Sequence, residues 1–353
     1  METNYTQQNP SPISILSKNM AEIAASILGR TYTTKLADGI TLTVCPGKEI
    51  SWAEFEQVAP PYSIALDGFV RGAPRYDKTK KLINFNHHQD VDRLSTRSTS
   101  GQVLVAIKQG LIEAFSVDGS PILHIFVNDP DQDSSLAVWL LKNHERIAGA
   151  KSEPLLGRLI NAEDLIDTTA GAFPFDPNSS LMREMAWVFD PYVQARMSGR
   201  LRTMEGAEMA NVIDVIGSRI SSYSLGNGEK LALNTQLEII GGGDGWQLIK
   251  EHGFYARTEL FHRKIFAFIS YLGESDGRFH YSIGKMSPFI PFPIQDIYAV
   301  LNHHENLDMN SGICWNGGDI TGGSPRRVGS SLSPKVLESR VNEYLSALGS
   351  HHH

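Results

Sequence analysis

The sequence predicts an α/β protein: a mostly parallel sheet flanked by helices, then a helical linker and a smaller α+β C-terminal domain. Three observations carry that expectation. Ile122-Leu123-His124-Ile125-Phe126-Val127 is a nearly continuous apolar run, the pattern of a strand buried on both faces. It passes through an acidic turn at residues 128–133 into a helix opening Ser134-Ser135-Leu136-Ala137. Tyr62-Ser63-Ile64-Ala65-Leu66 and Lys81-Leu82-Ile83-Asn84-Phe85 read as two more short strands, ending in Asp67-Gly68 and Asn86-His87-His88. In open α/β sheets, ligands collect beyond the carboxyl ends of the strands.

Composition narrows the classes of function. The 353 residues are enough for two domains of ordinary size. With 41% hydrophobic and 20% charged residues, the balance is that of a water-soluble globular chain. No apolar run approaches the ~18–20 residues of a membrane span, so no membrane partner is expected. Met1-Glu2-Thr3-Asn4-Tyr5 lacks the basic-then-apolar pattern of a secretory leader. Cys45 and Cys314 are the only cysteines, too few for a disulfide framework, and a reduced cytoplasmic setting is expected. Gly349-Ser350-His351-His352-His353 reads as a tag remnant, and its histidines are set aside. The net charge of −7 argues against a protein that coats long nucleic acid. It leaves room for a small anion held by a local cluster of metal and arginine.

Taken in order, residues 1–20 are polar with Pro10 and Pro12 and read as a loose arm, ahead of a metal-binding domain expected over 21–180. Met20 to Leu28 has helical spacing, and Thr41-Leu42-Thr43-Val44 alternates like a strand before Pro46-Gly47. Ser51 with Glu54 forms a capping box. A turn region from Gly72 leads into the strand before His87. Neighbours on a strand face opposite sides, so His87 and His88 can serve one site only where the strand stops. A surface His-His pair in a turn is the alternative. Asp92 to Ser100 is rich in hydroxyls and precedes a helix expected over Gln102 to Gln109. Such a helix start offers donors to an anion, and Arg93 and Arg97, four apart, would share a helical face. Asp129, Asp131 and Asp133 crowd one strand-to-helix turn. They repel one another unless a cation intervenes, and oxygen plus imidazole ligands suit Mn²⁺ or Mg²⁺. An acidic helix N-terminus is the other explanation.

Asp167, followed by Thr168-Thr169-Ala170-Gly171, reads as a site loop or a helix cap. Leu181 to about Ser224 is helical in character and ends at Gly226-Asn227-Gly228, so 181–225 is expected to be a linker and 226–348 a C-terminal substrate-binding domain. In that domain Phe266–Leu272 and Phe279–Gly284 look like paired strands, and Ile294–Leu301 like a helix. Asn302-His303-His304 echoes Asn86-His87-His88, either as a second metal site or as a polar helix end. Gly322, Gly323, Ser324, Arg326 and Arg327 form a pattern suited to a phosphate nest.

These pieces together resemble the DHH phosphoesterase superfamily, including its exonuclease branch. Asp131-Gln132-Asp133 before Ser134-Ser135 resembles its aspartate-rich motif, Asp67-Gly68 its lone aspartate, Asn86-His87-His88 its Asp-His-His, and Ile166-Asp167-Thr168-Thr169-Ala170-Gly171-Ala172-Phe173 its further aspartate loop. Three departures stand out. The aspartate-rich motif follows the His-His motif, as in a permuted order. Asn86 stands where the family has aspartate, and Val127 where it has histidine. The resemblance implies one or two Mn²⁺ (or Mg²⁺) ions, with Asp67 bridging, Asp133, His87 and Asp167 completing one site, and Asp131 with Asp129 holding the other. It implies a phosphohydrolase, a phosphodiesterase or phosphatase using metal-activated water, acting on a nucleotide, short oligonucleotide or phosphoanhydride. His88 would donate to a phosphate oxygen. Arg326 or Arg327, or Arg93 or Arg97, would neutralise the remaining charge, with Gly322, Gly323 and Ser324 in the substrate-binding lobe. Short single-stranded nucleic acid and a second copy of the chain are the partners it allows. Two other readings stand beside it: a catalytically decayed nucleotide-binding sensor or scaffold, and a different metal hydrolase such as an amidohydrolase.

Overall fold

The computed structural model describes residues 23–309, 313–325 and 328–349. Within them the chain is mixed α/β and forms two compact units. The first takes the chain up to Asp92, then Thr99–Ser152 and Ser198–Ser218; the second takes Arg93–Ser98, Glu153–Met197 and the chain from Arg219 onward. Residues 181–225, expected as a linker, are divided between the two.

The first unit is built on β1 (Tyr32–Ala37), β2 (Ile40–Val44), α1 (Trp52–Val58), β3 (Ser63–Leu66), β4 (Arg75–Asp77), β5 (Leu82–Phe85), α2 (Thr99–Lys108), β6 (Leu123–Val127) and α3 (Gln132–Lys142). Its six-stranded sheet has the order β1-β2-β6-β3-β5-β4. Neighbours among β2, β6, β3 and β5 run parallel, and β1 and β4 pair antiparallel at the edges. Ile64 of β3 lies level with Ile125 of β6 and Ile83 of β5. This order brings the carboxyl ends of β6, β3 and β5 side by side, although their sequences are far apart.

The sequence pattern explains the layers. Leu123, Ile125 and Val127 of β6 are fully buried, as a strand covered on both faces must be. From Leu136 to Leu141, α3 is buried all round, which matches its uninterrupted apolar sequence. Ser51 caps α1 through the expected box with Glu54. Phe55 of α1 meets Phe69 and Phe126 edge-on, and Phe69 stacks on Phe126 at 5.6 Å. Such pairs contribute about 0.5–1.5 kcal/mol each beyond area burial. They anchor the turn after β3 to the end of β6.

The second unit holds α4 (Pro154–Thr168), α5 (Ser180–Met197) and the end of α6 (Gly206–Ser224). Then come β7 (Leu237–Gly243), β8 (Trp246–Glu251), α7 (Ala256–His262), β9 (Ala267–Ser275), β10 (Arg278–Lys285), α8 (Ile294–Glu305), β11 (Asn316–Gly317), β12 (Thr321–Gly323) and α9 (Pro334–Gly349). The sheet order is β11-β12-β10-β9-β8-β7, and β8 with β9 is its parallel pair. The expected strand pair is present as β9 and β10, antiparallel, with Ile269 opposite Ile283. Trp246, Ile269, Tyr281, Ile297, Trp315 and Leu337 centre the core. Edge strand β7 is covered by α9: Gly242 N donates to Glu338, and Asn342 Nδ2 donates to Gly242 O. Both backbone groups of an edge residue are thereby removed from strand pairing.

Pro191 lies inside α5, where a proline leaves the carbonyl four residues earlier without its helical donor. That carbonyl belongs to Trp187, and the Arg219 guanidinium donates to it. The same guanidinium lies over the Trp187 ring, 5.2 Å from its centroid, so one arginine from α6 repairs and covers the break.

Three expectations change. Helix α2 starts at Thr99, not Gln102. Residues 93–98 are not helical, so Arg93 and Arg97 share no helical face. Asp167 itself is helical: Pro154, suited to a first turn, opens a helix whose last turn contains Asp167, and the turn at 169–171 follows it.

Candidate metal centre

Asp67, His87 and His88 leave the carboxyl ends of two adjacent parallel strands, and Asp133 the helix that follows a third. After β3, Phe69 N donates to Leu66 O, closing a tight turn through Asp67 (φ 48°) and Gly68 (φ 78°). Two successive left-handed residues suit Asp-Gly, because aspartate tolerates that region and glycine is unrestricted there. A Cβ on Gly68 would stand 3.3 Å from His88 Cδ2, so the turn also leaves room for the imidazole. Strand β5 stops at Phe85, and Asn86 breaks the alternation. His87 and His88 consequently reach the same carboxylate, despite their adjacency. His88 Nε2 lies 2.7 Å from Asp67 Oδ1, and His87 Nε2 lies 3.4 Å from it. The two rings are 4.3 Å apart.

Asp133 comes from the first turn of α3 and is 1% exposed. Its Oδ2 is 3.8 Å from His87 Nε2. Both of its oxygens also accept backbone amides: Thr99 N donates to Oδ2 at 2.5 Å and Ser100 N to Oδ1 at 2.8 Å. Asp133 therefore caps the start of α2 from another helix. This is why α2 begins at Thr99. Thr99 Oγ1 donates to Asp67 Oδ1 at 3.2 Å, and Ser134 Oγ to Asp67 Oδ2 at 3.4 Å. Burial pushes the Asp67 carboxyl up, but the charges and hydrogen bonds of His88 and His87 together hold it well below the ordinary carboxylate range. The carboxylate is thus ionised at neutral pH.

Asp67, His87 and His88 each offer a ligand atom within 4.8 Å of the others, and Asp133 adjoins them through His87. This Asp/His cluster, buried except for His88, could hold a metal ion. Two carboxylates and two imidazoles suit Mn²⁺ better than Mg²⁺, which favours oxygen alone.

Several of the remaining expected residues have other surroundings. Asp131 is the N-cap of α3, its Oδ1 accepting from Ser134 N at 2.8 Å, and so follows the helix-terminus explanation. Asp129 is half-buried in the turn after β6. Among the described residues, neither joins a group with metal-binding spacing. Asp167 belongs to the second unit, on α4. Arg93, also of that unit, donates to the last-turn carbonyls Asp167 O and Thr168 O as a C-terminal cap. Arg97 pairs with Asp164 at 3.4 Å. Gly322 and Gly323 are strand residues of β12, not an open nest. A Cβ on Gly323 would lie 2.3 Å from Tyr281 O, so close strand approach explains that glycine. Ser324 Oγ accepts from Tyr281 N at 3.0 Å in the buried interior. Arg326 and Arg327 lie outside the described residues.

The second histidine pair is exposed on α8. Its neighbours face inward. Asn302 Oδ1 accepts from Trp315 N, Asn302 Nδ2 donates to Trp315 O, and Glu305 accepts from Trp315 Nε1, Ser330 and Ser331. That segment is a structural latch. Residues of the site that sequence reasoning did not single out are Thr99 and Ser134; the run of hydroxyls before α2 is the signal for the first, and Ser134-Ser135 at the start of α3 for the second.

Compared with known protein families, characterised proteins and solved structures, the chain matches none.

Proposed function

We propose that this protein is a metal-dependent phosphohydrolase acting on a small phosphate-containing anion, a nucleotide, short oligonucleotide or phosphoanhydride. The observation that carries the reading is the convergence of Asp67, His87, His88 and Asp133 beyond three adjacent parallel strands. Asp67, His87 and Asp133 would hold one Mn²⁺, with Asp133 keeping its bonds from the Thr99 and Ser100 amides. A bound cation supplies Lewis acidity, lowering the pKa of water and polarising a phosphoryl oxygen. His88 has a side chain 37% exposed, the most accessible of the four, and would donate to a phosphate oxygen. Thr99 Oγ1 donates to the Asp67 oxygen that the two histidines approach and helps to orient it. Asp67 keeps its negative charge at neutral pH, ready for a cation.

The test is Mn²⁺ titration by calorimetry, with phosphate release from a panel of nucleotides, dinucleotides and polyphosphates. The wild type is expected to bind about one Mn²⁺ and to release phosphate; His87→Ala abolishes both, and His88→Ala chiefly lowers turnover. Asp167→Ala, measured alongside, decides whether the ligand implied by the resemblance contributes. No Mn²⁺ binding and no release from any substrate would sink the reading.

A second reading, a catalytically decayed nucleotide-binding module, is favoured by one observation: both Asp133 oxygens already accept backbone amides. Nucleotide binding with less than one metal equivalent would select it.

A further inference from the structure

Asn86 is fully buried between the two arms of the site. Its Oδ1 accepts from His87 N at 2.8 Å and from His88 N at 3.1 Å. Its Nδ2 donates to Gly72 O at 2.8 Å and to Val70 O at 3.3 Å, in the loop that follows the Asp67-Gly68 turn. Its own carbonyl accepts from Gln102 Nε2 at 3.0 Å. One carboxamide thus fastens the histidine arm to the aspartate arm, and α2 holds its backbone.

We infer that Asn86 is the positioning residue of this centre: its amide oxygen sets the backbone from which His87 and His88 reach Asp67, and its amide nitrogen ties that backbone to the Val70–Gly72 loop. The inference rests on the metal-site reading for its consequence, not for its geometry. Aspartate here would present a second acceptor to two carbonyl oxygens, Val70 O and Gly72 O. Of the two, only the amide offers an acceptor to one side and donors to the other. The departure of Asn86 from Asp-His-His is therefore a requirement of this loop, not a sign of decay. Nearby groups support the tie. Gln89 Oε1 accepts from Gly72 N, and Asn84 Nδ2 donates to Val70 O, Gly72 O and Ala73 O. Asn84 grips the same loop but touches neither histidine amide, which makes it the natural control.

The experiment compares Asn86→Ala, Asn86→Asp and Asn84→Ala in the full chain. One readout is long-range ¹H–¹⁵N NMR of the histidine rings without metal; the other is Mn²⁺ affinity by calorimetry. Asn86→Ala is expected to shift the ring resonances of His87 and His88 and to weaken Mn²⁺ binding by about 10–100-fold, the usual effect of losing an outer-shell partner. Asn84→Ala lowers stability but leaves the ring resonances of His87 and His88 in place and the Mn²⁺ affinity within about threefold of wild type. If Asn86→Ala does not fold, Asn86→Asp answers instead: its carboxylate still accepts both histidine amides, so ring resonances remain near wild type while the urea midpoint falls. Unshifted histidine resonances in Asn86→Ala overturn the inference, as does an equal loss of affinity in Asn84→Ala. A wild type that binds no Mn²⁺ overturns the proposed function instead, and the ring spectra still test Asn86.

Discussion

Replacing Asp133 by alanine separates the structural duty of this carboxylate from its proposed ligand duty. Asp133 is buried and receives Thr99 N at 2.5 Å and Ser100 N at 2.8 Å, both from the first turn of α2. An N-cap lost to alanine costs ~0.5–2 kcal/mol. A hydrogen bond to a charged group contributes about 1.5–3 kcal/mol, and two go together here. A loss near 3 kcal/mol is therefore expected, roughly a hundredfold in the local opening constant. The protein stays folded if its stability lies in the usual ~5–15 kcal/mol range. Because two compact units need not unfold together, a local probe is preferable to a single melting temperature. Amide hydrogen exchange at Thr99 and Ser100 should accelerate about a hundredfold in Asp133→Ala, with far smaller changes in the β9–β10 pair. Asp133→Asn, keeping one acceptor, should fall between. Saturating Mn²⁺ at a hundred times its Kd should stabilise the wild type by about 2.7 kcal/mol and the alanine variant by much less. Exchange at those two amides changed by less than about threefold, roughly a quarter of the expected change on the energy scale, would refute the capping argument.

Two further outcomes follow from particular residues. Gly68→Ala places a Cβ at φ 78° and 3.3 Å from the His88 ring, so it should cost about 1–2 kcal/mol and disturb the His88–Asp67 pair; urea unfolding and the His88 ring resonances check both. Glu305 is raised by burial but held below its ordinary value by donors from Trp315, Ser331 and Ser330. A carboxyl depressed in the folded state stabilises above its unfolded value of about 4.3 and loses that contribution as pH falls through the folded value. Glu305→Gln should therefore be less stable than wild type at pH 7, by about 1–3 kcal/mol for the lost charge-assisted bonds, with the gap closing below about pH 4. A gap independent of pH in parallel urea titrations would refute it.

Much of the first unit was legible because its signals are local. The apolar run Ile122–Val127, the Ser51–Glu54 box and the Asp67-Gly68 turn each act over a few residues, and each lies where that chemistry requires. The stop of β5 before His87 was legible for the same reason. What escaped was every duty assigned across the sheet. Nothing around Asp133 announces that it caps a helix 34 positions away in sequence. Nothing near Asn86 announces the two carbonyls of another loop that demand an amide. Likewise Arg93 and Arg97 read as anion ligands until their partners on α4 are known. The sequence by itself determined strands β2, β3, β5 and β6 and which polar residues follow their carboxyl ends, because alternation, burial and turn chemistry are short-range. Only the tertiary structure decided which of those residues meet, because the strand order β6-β3-β5 joins segments whose separation along the chain carries no signal of contact.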